Sequence, residues 1–176
     1  MCEHQDRVNQ WLSSYSGDAF EALRLEEDGS CSLHTDQGLE LSLHLLPGHV
    51  ELYINITLSA CNLENRAQFF EQALTLNHYQ HDMHGGAIAF DPQTSELVFS
   101  STMTIEGAEF DDFDRELMCR IEVAVRLREH LQSQQQRAAQ PAPVYADGGN
   151  QPERISPAGA APTYAENNLA FFMNMA

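Results

Sequence analysis

Three imidazoles and a carboxylate fall within seven residues at His78-Tyr79-Gln80-His81-Asp82-Met83-His84. Neutral imidazole nitrogen and carboxylate oxygen both ligate zinc and related divalent ions. His78 and His81 would also share a face if a helix ran through them. No distant carboxylate–His motif accompanies the set, and no general base stands beside it. A polar connection between two elements is therefore the expectation; a metal-dependent enzyme using His78, His81 and His84 is the alternative. A second cluster, Glu106, Glu109, Asp111, Asp112, Asp114 and Glu116, lacks the Asp-x-Asp-x-Asp-Gly spacing of a calcium loop. It reads as the acidic start of a helix, where carboxylates complement the backbone dipole. Nucleophile motifs are missing too: the chain has no Gly-x-Ser-x-Gly, P-loop, Gly-rich dinucleotide turn or His-Glu-x-x-His. The expectation is a protein without catalytic residues, bound metal or cofactor.

The cysteines, Cys2, Cys31, Cys61 and Cys119, are scattered and form no Cys-x-x-Cys pair. That spacing suits reduced thiols in the cytoplasm, with Cys31, Cys61 and Cys119 as small core residues and Cys119 at the core's edge. The balance of 26 acidic against 9 basic residues gives a net charge of −17, and every basic residue is Arg. Nucleic acid and anionic membrane surfaces both need cationic neutralisation, so neither is an expected partner. Solubility and basic partners fit better. The N-terminus lacks an apolar signal core, and no apolar run approaches the roughly 20 residues of a membrane span.

What remains is a scaffold, and its centre is residues 23–58. Cys31, Leu33 and Thr35 take alternate places, as do Leu39, Leu41, Leu43 and Leu45, and then Val50, Leu52, Ile54, Ile56 and Leu58. Period-two alternation puts each set on one face of a strand, and the intervening Asp36-Gln37-Gly38 and Pro47-Gly48 suit tight turns. The spacing predicts a three-stranded meander with one apolar face. Ahead of it, Val8, Trp11, Leu12 and Tyr15 mark an amphipathic helix over residues 3–16. Residues 62–77 predict a second helix, N-capped by Asn62 in preference to Asn65, with Leu63, Ala67, Phe70 and Leu74 on its apolar face and Phe69, Ala73 and Leu76 on the flank. A helix apolar over so much of its circumference is expected to meet both the sheet and another subunit. Residues 87–90 and 96–100 flank a Pro-containing loop as a hairpin, which Met103 and Ile105 extend. A long helix follows over residues 110–136, carried by Phe113, Leu117, Ile121, Ala124 or Val125, Leu127 or Arg128, and Leu131. The order predicts an α+β fold: an antiparallel sheet of about five strands flanked by three helices. Residues 1–136 form the domain. Residues 137–176 are rich in Pro, Ala and Gly and predict a disordered tail, ending in an apolar segment with Leu169, Phe171, Phe172, Met173 and Met175.

Without a catalytic set, such a domain has strand edges and apolar grooves to offer a peptide. The order helix, three strands, helix, two strands, helix resembles the class I type III secretion chaperones of the CesT (Tir chaperone) family. So do particular stretches: residues 23–31 with their acidic turn, residues 39–45 followed by Pro47, Ala73-Leu74-Thr75-Leu76-Asn77, and Gly85-Gly86-Ala87-Ile88-Ala89-Phe90-Asp91-Pro92 followed by Leu97-Val98-Phe99. The resemblance spans residues 5–131; the C-terminal extension and the His-rich connection depart from it. It implies a cytoplasmic homodimer that is not an enzyme, holds the N-terminal segment of a secreted effector in extended form, and hands it to the secretion ATPase. By position it implies a dimer interface of Phe69, Phe70, Leu74, Ala87, Ile88 and Phe90, and an effector groove of Val8, Trp11, Leu12, Leu25, Leu41, Leu43, Leu52 and Ile54. An adaptor or regulator of secretion on the same fold shares all of these features.

Overall fold

The computed structural model describes residues 3–15, 23–61, 66–78 and 80–139. In chain order these form α1 (Glu3–Tyr15), β1 (Ser30–His34), β2 (Glu40–Leu45), β3 (Glu51–Ala60), α2 (Arg66–Asn77), a short 3-10 turn (Gln80–Met83), β4 (Ala87–Asp91), β5 (Glu96–Thr104) and α3 (Phe110–Ala139). The five strands make one antiparallel sheet in the order β1-β2-β3-β5-β4. The meander expected from the alternation is present, and the closing hairpin inserts β5 beside β3, leaving β1 and β4 at the edges.

Register explains the single apolar face. Leu41, Leu43 and Leu45 sit opposite Ile56, Ile54 and Leu52, which in turn oppose Phe99, Ser101 and Met103. All of these side chains except Ser101 are apolar, and all are buried. Each large aliphatic side chain withdrawn from water in this way contributes on the order of 1.5–3 kcal/mol. On the opposite face, Ser42, His44, Tyr53, Asn55 and Ser100 are polar and half-buried. Two details differ from the alternation alone. Val50 lies in the turn before β3 and is exposed, its carbonyl accepting the Ile105 amide. Thr35 has left β1 for the turn, where its hydroxyl accepts the Leu39 amide at 3.1 Å.

Helices close the core over that face. Phe113, Leu117, Ile121, Ala124, Leu127 and Leu131 of α3 are buried, which settles the two paired alternatives for Ala124 and Leu127. Trp11 of α1 stacks on Phe113, ring centroids 5.1 Å apart, and Val8 and Leu12 are fully buried beside it. The last turn of α1 is fastened by the Tyr15 hydroxyl, which donates to Asp114 Oδ1 at 2.6 Å. Burial, then the hydrogen bond to Asp114 and its charge, push the Tyr15 phenol well above its ordinary range. A raised phenol stabilises the fold fully below about pH 10 and loses that contribution as pH climbs towards the folded value, because the unfolded chain ionises first. Tyr15→Phe should therefore cost about 1 kcal/mol at neutral pH. It should also flatten the fall in stability of the parent chain above pH ~10, read from urea midpoints across that window.

The second helix is turned differently from its sequence reading. Phe69, Ala73 and Leu76, expected on the flank, are the buried residues. Ala67 and Leu74 point outward, Leu74 at 69% exposure, and Phe70 is half-buried. Asn62 and Leu63 lie outside the described residues. So do Tyr79 and residues 140–176 of the expected tail; α3 itself continues three residues past the expected boundary, to Ala139.

Candidate peptide-docking edge and outward helix face

The two edges of the sheet are not equivalent. On β4, the Asn77 side-chain amide takes both backbone groups of Ile88. The Ile88 N–H donates to Asn77 Oδ1 at 2.7 Å, and Asn77 Nδ2 donates to the Ile88 carbonyl at 2.9 Å. Asn77 ends α2, so a primary amide with one donor and one acceptor stands where a further strand would pair. Sequence reasoning used Asn77 only as a family-like position; its signal was an amide at a helix end followed closely by a strand.

At β1 the phase of the ladder follows from two hydrogen bonds, Leu45 N–H to the Gly29 carbonyl and Thr35 N–H to the Leu39 carbonyl. Counting in twos between them, Cys31 and Leu33 turn their backbone groups towards β2, while Ser30, Ser32 and His34 turn theirs outward. The turn before β1 satisfies Ser30: its carbonyl accepts the Glu26 N–H at 2.7 Å, and its own N–H donates to Asp28 Oδ1 at 2.9 Å. The Ser30 hydroxyl donates to the same oxygen at 2.6 Å, and these bonds, the hydroxyl's first, hold the Asp28 carboxyl below its ordinary range. Gly29 makes the turn possible, with φ +82° and a Cβ position that would collide with the Leu45 carbonyl. Among the described residues nothing pairs with the outward backbone of Ser32 and His34, and both side chains are exposed. β1 is the open edge.

Beside that edge lies a hollow between α1 and the acidic turn, lined by Gln5, Asn9, Arg24, Leu25, Glu26, Glu27 and Asp28. Asn9 Oδ1 accepts the Leu25 amide at 2.7 Å, which holds the two walls together. Below it, Cys31 is 5% exposed, and burial followed by the Glu26 charge pushes its thiol up, so it stays neutral. The hollow and edge together present the outward backbone of Ser32 and His34, unpaired among the described residues, and a lining that mixes carboxylates with apolar surface. They can hold an extended segment by main-chain pairing; nothing in them activates a nucleophile.

The residues expected to line an effector groove are buried in the described chain. Val8, Trp11, Leu12, Leu25, Leu41, Leu43, Leu52 and Ile54 are all between 0% and 5% exposed. They are core, because alternation and helical periodicity report which side chains leave water, not whether they meet the protein or a ligand. Of these, only Leu25 lines the hollow. Of the expected interface residues, Phe69 and Ile88 are also core. The other four are on the surface: Ala87 and Leu74 are exposed, and Phe70 and Phe90 are half-buried. Phe70 meets Phe90 edge-on at 5.1 Å, and the Arg66 guanidinium lies 5.0 Å and 4.9 Å from the two ring centroids. A cation over two aromatic faces stiffens this half-buried pair, one turn of α2 from the exposed Leu74.

The His-rich connection does not continue the helix. α2 stops at Asn77 and residues 80–83 form the 3-10 turn, so His78 and His81 share no α-helical face. His78 and His84 are exposed, His84 at φ +45°, and Met83 is the buried anchor. The side chain of His81 lies outside the described residues. Among the described residues no three His, Cys, Asp or Glu side chains gather as metal ligands. Nor is any described helix long and apolar enough to cross a membrane.

The described residues form a small α+β domain, a five-stranded antiparallel sheet closed by three helices on one core, with one edge capped by a side-chain amide and the other open among those residues. The chain belongs to the Tir chaperone protein (CesT) family, whose sequence model matches residues 18–131. Solved structures share the fold. A chain of the ExsC–ExsE complex aligns with a TM-score of 0.61 at 21% identity, over 72% of this chain and 95% of that one. A chain of the HopA1–SchA chaperone–effector complex gives 0.55 at 15% identity, over 73% and 98%. The heterodimeric ExoU–SpcU complex from the type III secretion system of Pseudomonas aeruginosa gives 0.52 at 19%, over 69% and 95%. No curated protein matches the sequence.

Proposed function

We propose that this protein is a cytoplasmic type III secretion chaperone that binds the N-terminal segment of a secreted effector and keeps it soluble and export-competent. Membership of the Tir chaperone family supports the class of activity. The observation that carries the mode of binding is the open backbone of Ser32 and His34 on β1, against an opposite edge already capped at Ile88. An extended segment gains main-chain hydrogen bonds there, and its side chains lie against the hollow beside α1. The protein acts by binding alone, without metal or cofactor, and passes its cargo to the secretion ATPase.

The same reading includes a homodimer built on the outward face of α2 and β4, supported by Leu74, Phe70 and Phe90 lying together on the surface. Light scattering of the purified chain is expected to give twice its 19.7 kDa mass. Leu74→Asp should weaken the dimer at least about tenfold, as loss of an apolar anchor does, without moving the unfolding midpoint of the monomer. Pull-down from the native cytosol should recover one larger protein, released when that protein's N-terminal region is trimmed. Recovery that survives the trimming would sink the effector-segment reading.

A further inference from the structure

An extended segment laid along β1 has its register set by the rows of side chains that cross the sheet. Leu33, Leu41, Ile56, Phe99 and Ile88 lie opposite one another through all five strands. Leu41, Ile56, Phe99 and Ile88 are buried, whereas Leu33, the end of the row at the open edge, is only half-buried. Directly opposed residues share a face, so an apolar side chain opposite Leu33 completes the row.

Towards the start of β1 the same segment cannot stay on the edge. The Glu26 N–H donates to the Ser30 carbonyl at 2.7 Å, and the Arg24 N–H donates to the Cys31 sulfur. Residues 24–26 therefore already run back beside Ser30 and Cys31. Main-chain pairing is confined to Ser32 and His34, and the incoming chain must lift off beyond Ser32. Its next side chain on the core side, two residues from the one opposite Leu33, passes over Leu25 into the hollow.

That hollow, about 860 Å³ in volume, holds Glu26, Glu27 and Asp28 against a single guanidinium, Arg24. Asp28 is already engaged by Ser30. Among the described residues, Glu26, Glu27 and Arg24 form no ion pair with one another or with any other side chain. The charge of Glu26 is nevertheless felt at the Cys31 thiol, which is 5% exposed, so this carboxylate stands near the buried floor of the hollow. Carboxylates without a cation, set beside the apolar surface of Leu25, suit a side chain with a methylene stem and a positive head.

We propose that the hollow takes one Lys or Arg side chain of the partner segment, two residues from the apolar side chain that pairs opposite Leu33. The inference rests on the chaperone reading for the segment that delivers this cation. The stem lies on Leu25, and the charge reaches Glu26 and Glu27. A net charge of −17 attracts cationic segments in general; the hollow selects where along the segment the cation must stand.

The test uses the full chain and two synthetic peptides blocked at both ends, Lys-Thr-Val-Thr-Lys and the same peptide with norleucine in place of lysine. The symmetric pattern presents the cation in either strand direction. Titrations are followed by NMR at the amides of Ser32, His34, Glu26 and Glu27. Both peptides should shift Ser32 and His34. The lysine peptide should bind about fivefold tighter at low salt, shift Glu26 and Glu27 as well, and lose its advantage as salt is raised. In Glu26→Gln/Glu27→Gln the advantage should vanish. In Glu106→Gln/Glu109→Gln, an equal loss of charge just ahead of α3, it should persist. Equal affinities in the parent overturn the cation subsite and leave strand pairing standing. An advantage lost alike in both variants assigns it to net charge and overturns the subsite too. Shifts at neither Ser32 nor His34 with either peptide overturn the subsite and the edge reading together.

Discussion

Arg120→Ala is expected to destabilise the domain by about 3–5 kcal/mol, a larger loss than truncating any one of its hydrogen-bond partners would give. Arg120 is 5% exposed although it carries a full charge. Its guanidinium donates to Ser101 Oγ at 3.0 Å, to the Thr102 carbonyl at 2.9 Å, to the Glu116 carbonyl at 2.9 Å and to the Glu116 carboxylate. One side chain thus joins α3 to β5 and answers Ser101, the polar residue in an otherwise apolar sheet face. Truncation strands the Ser101 hydroxyl and the Thr102 carbonyl and leaves a void. Arg120→Met separates these causes: it refills much of the volume without the charge, and paired with Ser101→Ala it should recover most of the loss. Glu116→Gln should cost less than Arg120→Ala, because the Glu116 side chain is 43% exposed and water can replace part of what it supplies. Urea unfolding with an unchanged m-value checks all four. A loss below about 1 kcal/mol for Arg120→Ala would show the network to be idle.

Asn77→Leu is the second large effect, expected at about 2–3 kcal/mol, because each backbone group left unpaired on a part-buried edge costs on the order of 1–3 kcal/mol. The substitution is close in size, so lost volume contributes little. Asn77→Asp is a sharper probe: the carboxylate still accepts the Ile88 N–H but faces the Ile88 carbonyl with no donor. It should recover stability only as pH falls low enough to protonate it. The Leu variant also uncovers β4, so concentration-dependent association beyond that of the parent chain should appear in sedimentation. If association stays unchanged while stability falls, Asn77 fastens α2 to β4 without guarding the edge.

These residues also show where sequence reasoning stopped. Leu41, Leu43, Leu52 and Ile54 were legible as strand residues on one face because alternation is a local, repeated signal. Assigning them to an effector groove goes further than the pattern can: alternation marks burial without saying what does the burying, and here these side chains join the core cluster with residues of the helices. On α2 the pattern was ambiguous by construction. Apolar residues surround it, so Ala67, Phe70 and Leu74 made as good a face as Phe69, Ala73 and Leu76. Packing against β4 chose the second set, leaving Leu74 on the surface. Arg120 was passed over because a cation on a helix is ordinarily solvated; Ser101, on another element well upstream, is what makes its burial tolerable.

By itself the sequence determined the succession of helices and strands, the meander's apolar face, the acidic, lysine-free surface and the resemblance to the secretion chaperones. Each of these rests on short-range periodicity or composition, which a single chain displays directly. Only the tertiary structure decided that β5 inserts beside β3, that Asn77 shuts one edge while, among the described residues, Ser32 and His34 leave the other open, and which side of α2 meets water. Those outcomes depend on pairings between residues distant in sequence, where the energies of two candidate arrangements differ by hydrogen bonds and contacts that no local pattern encodes.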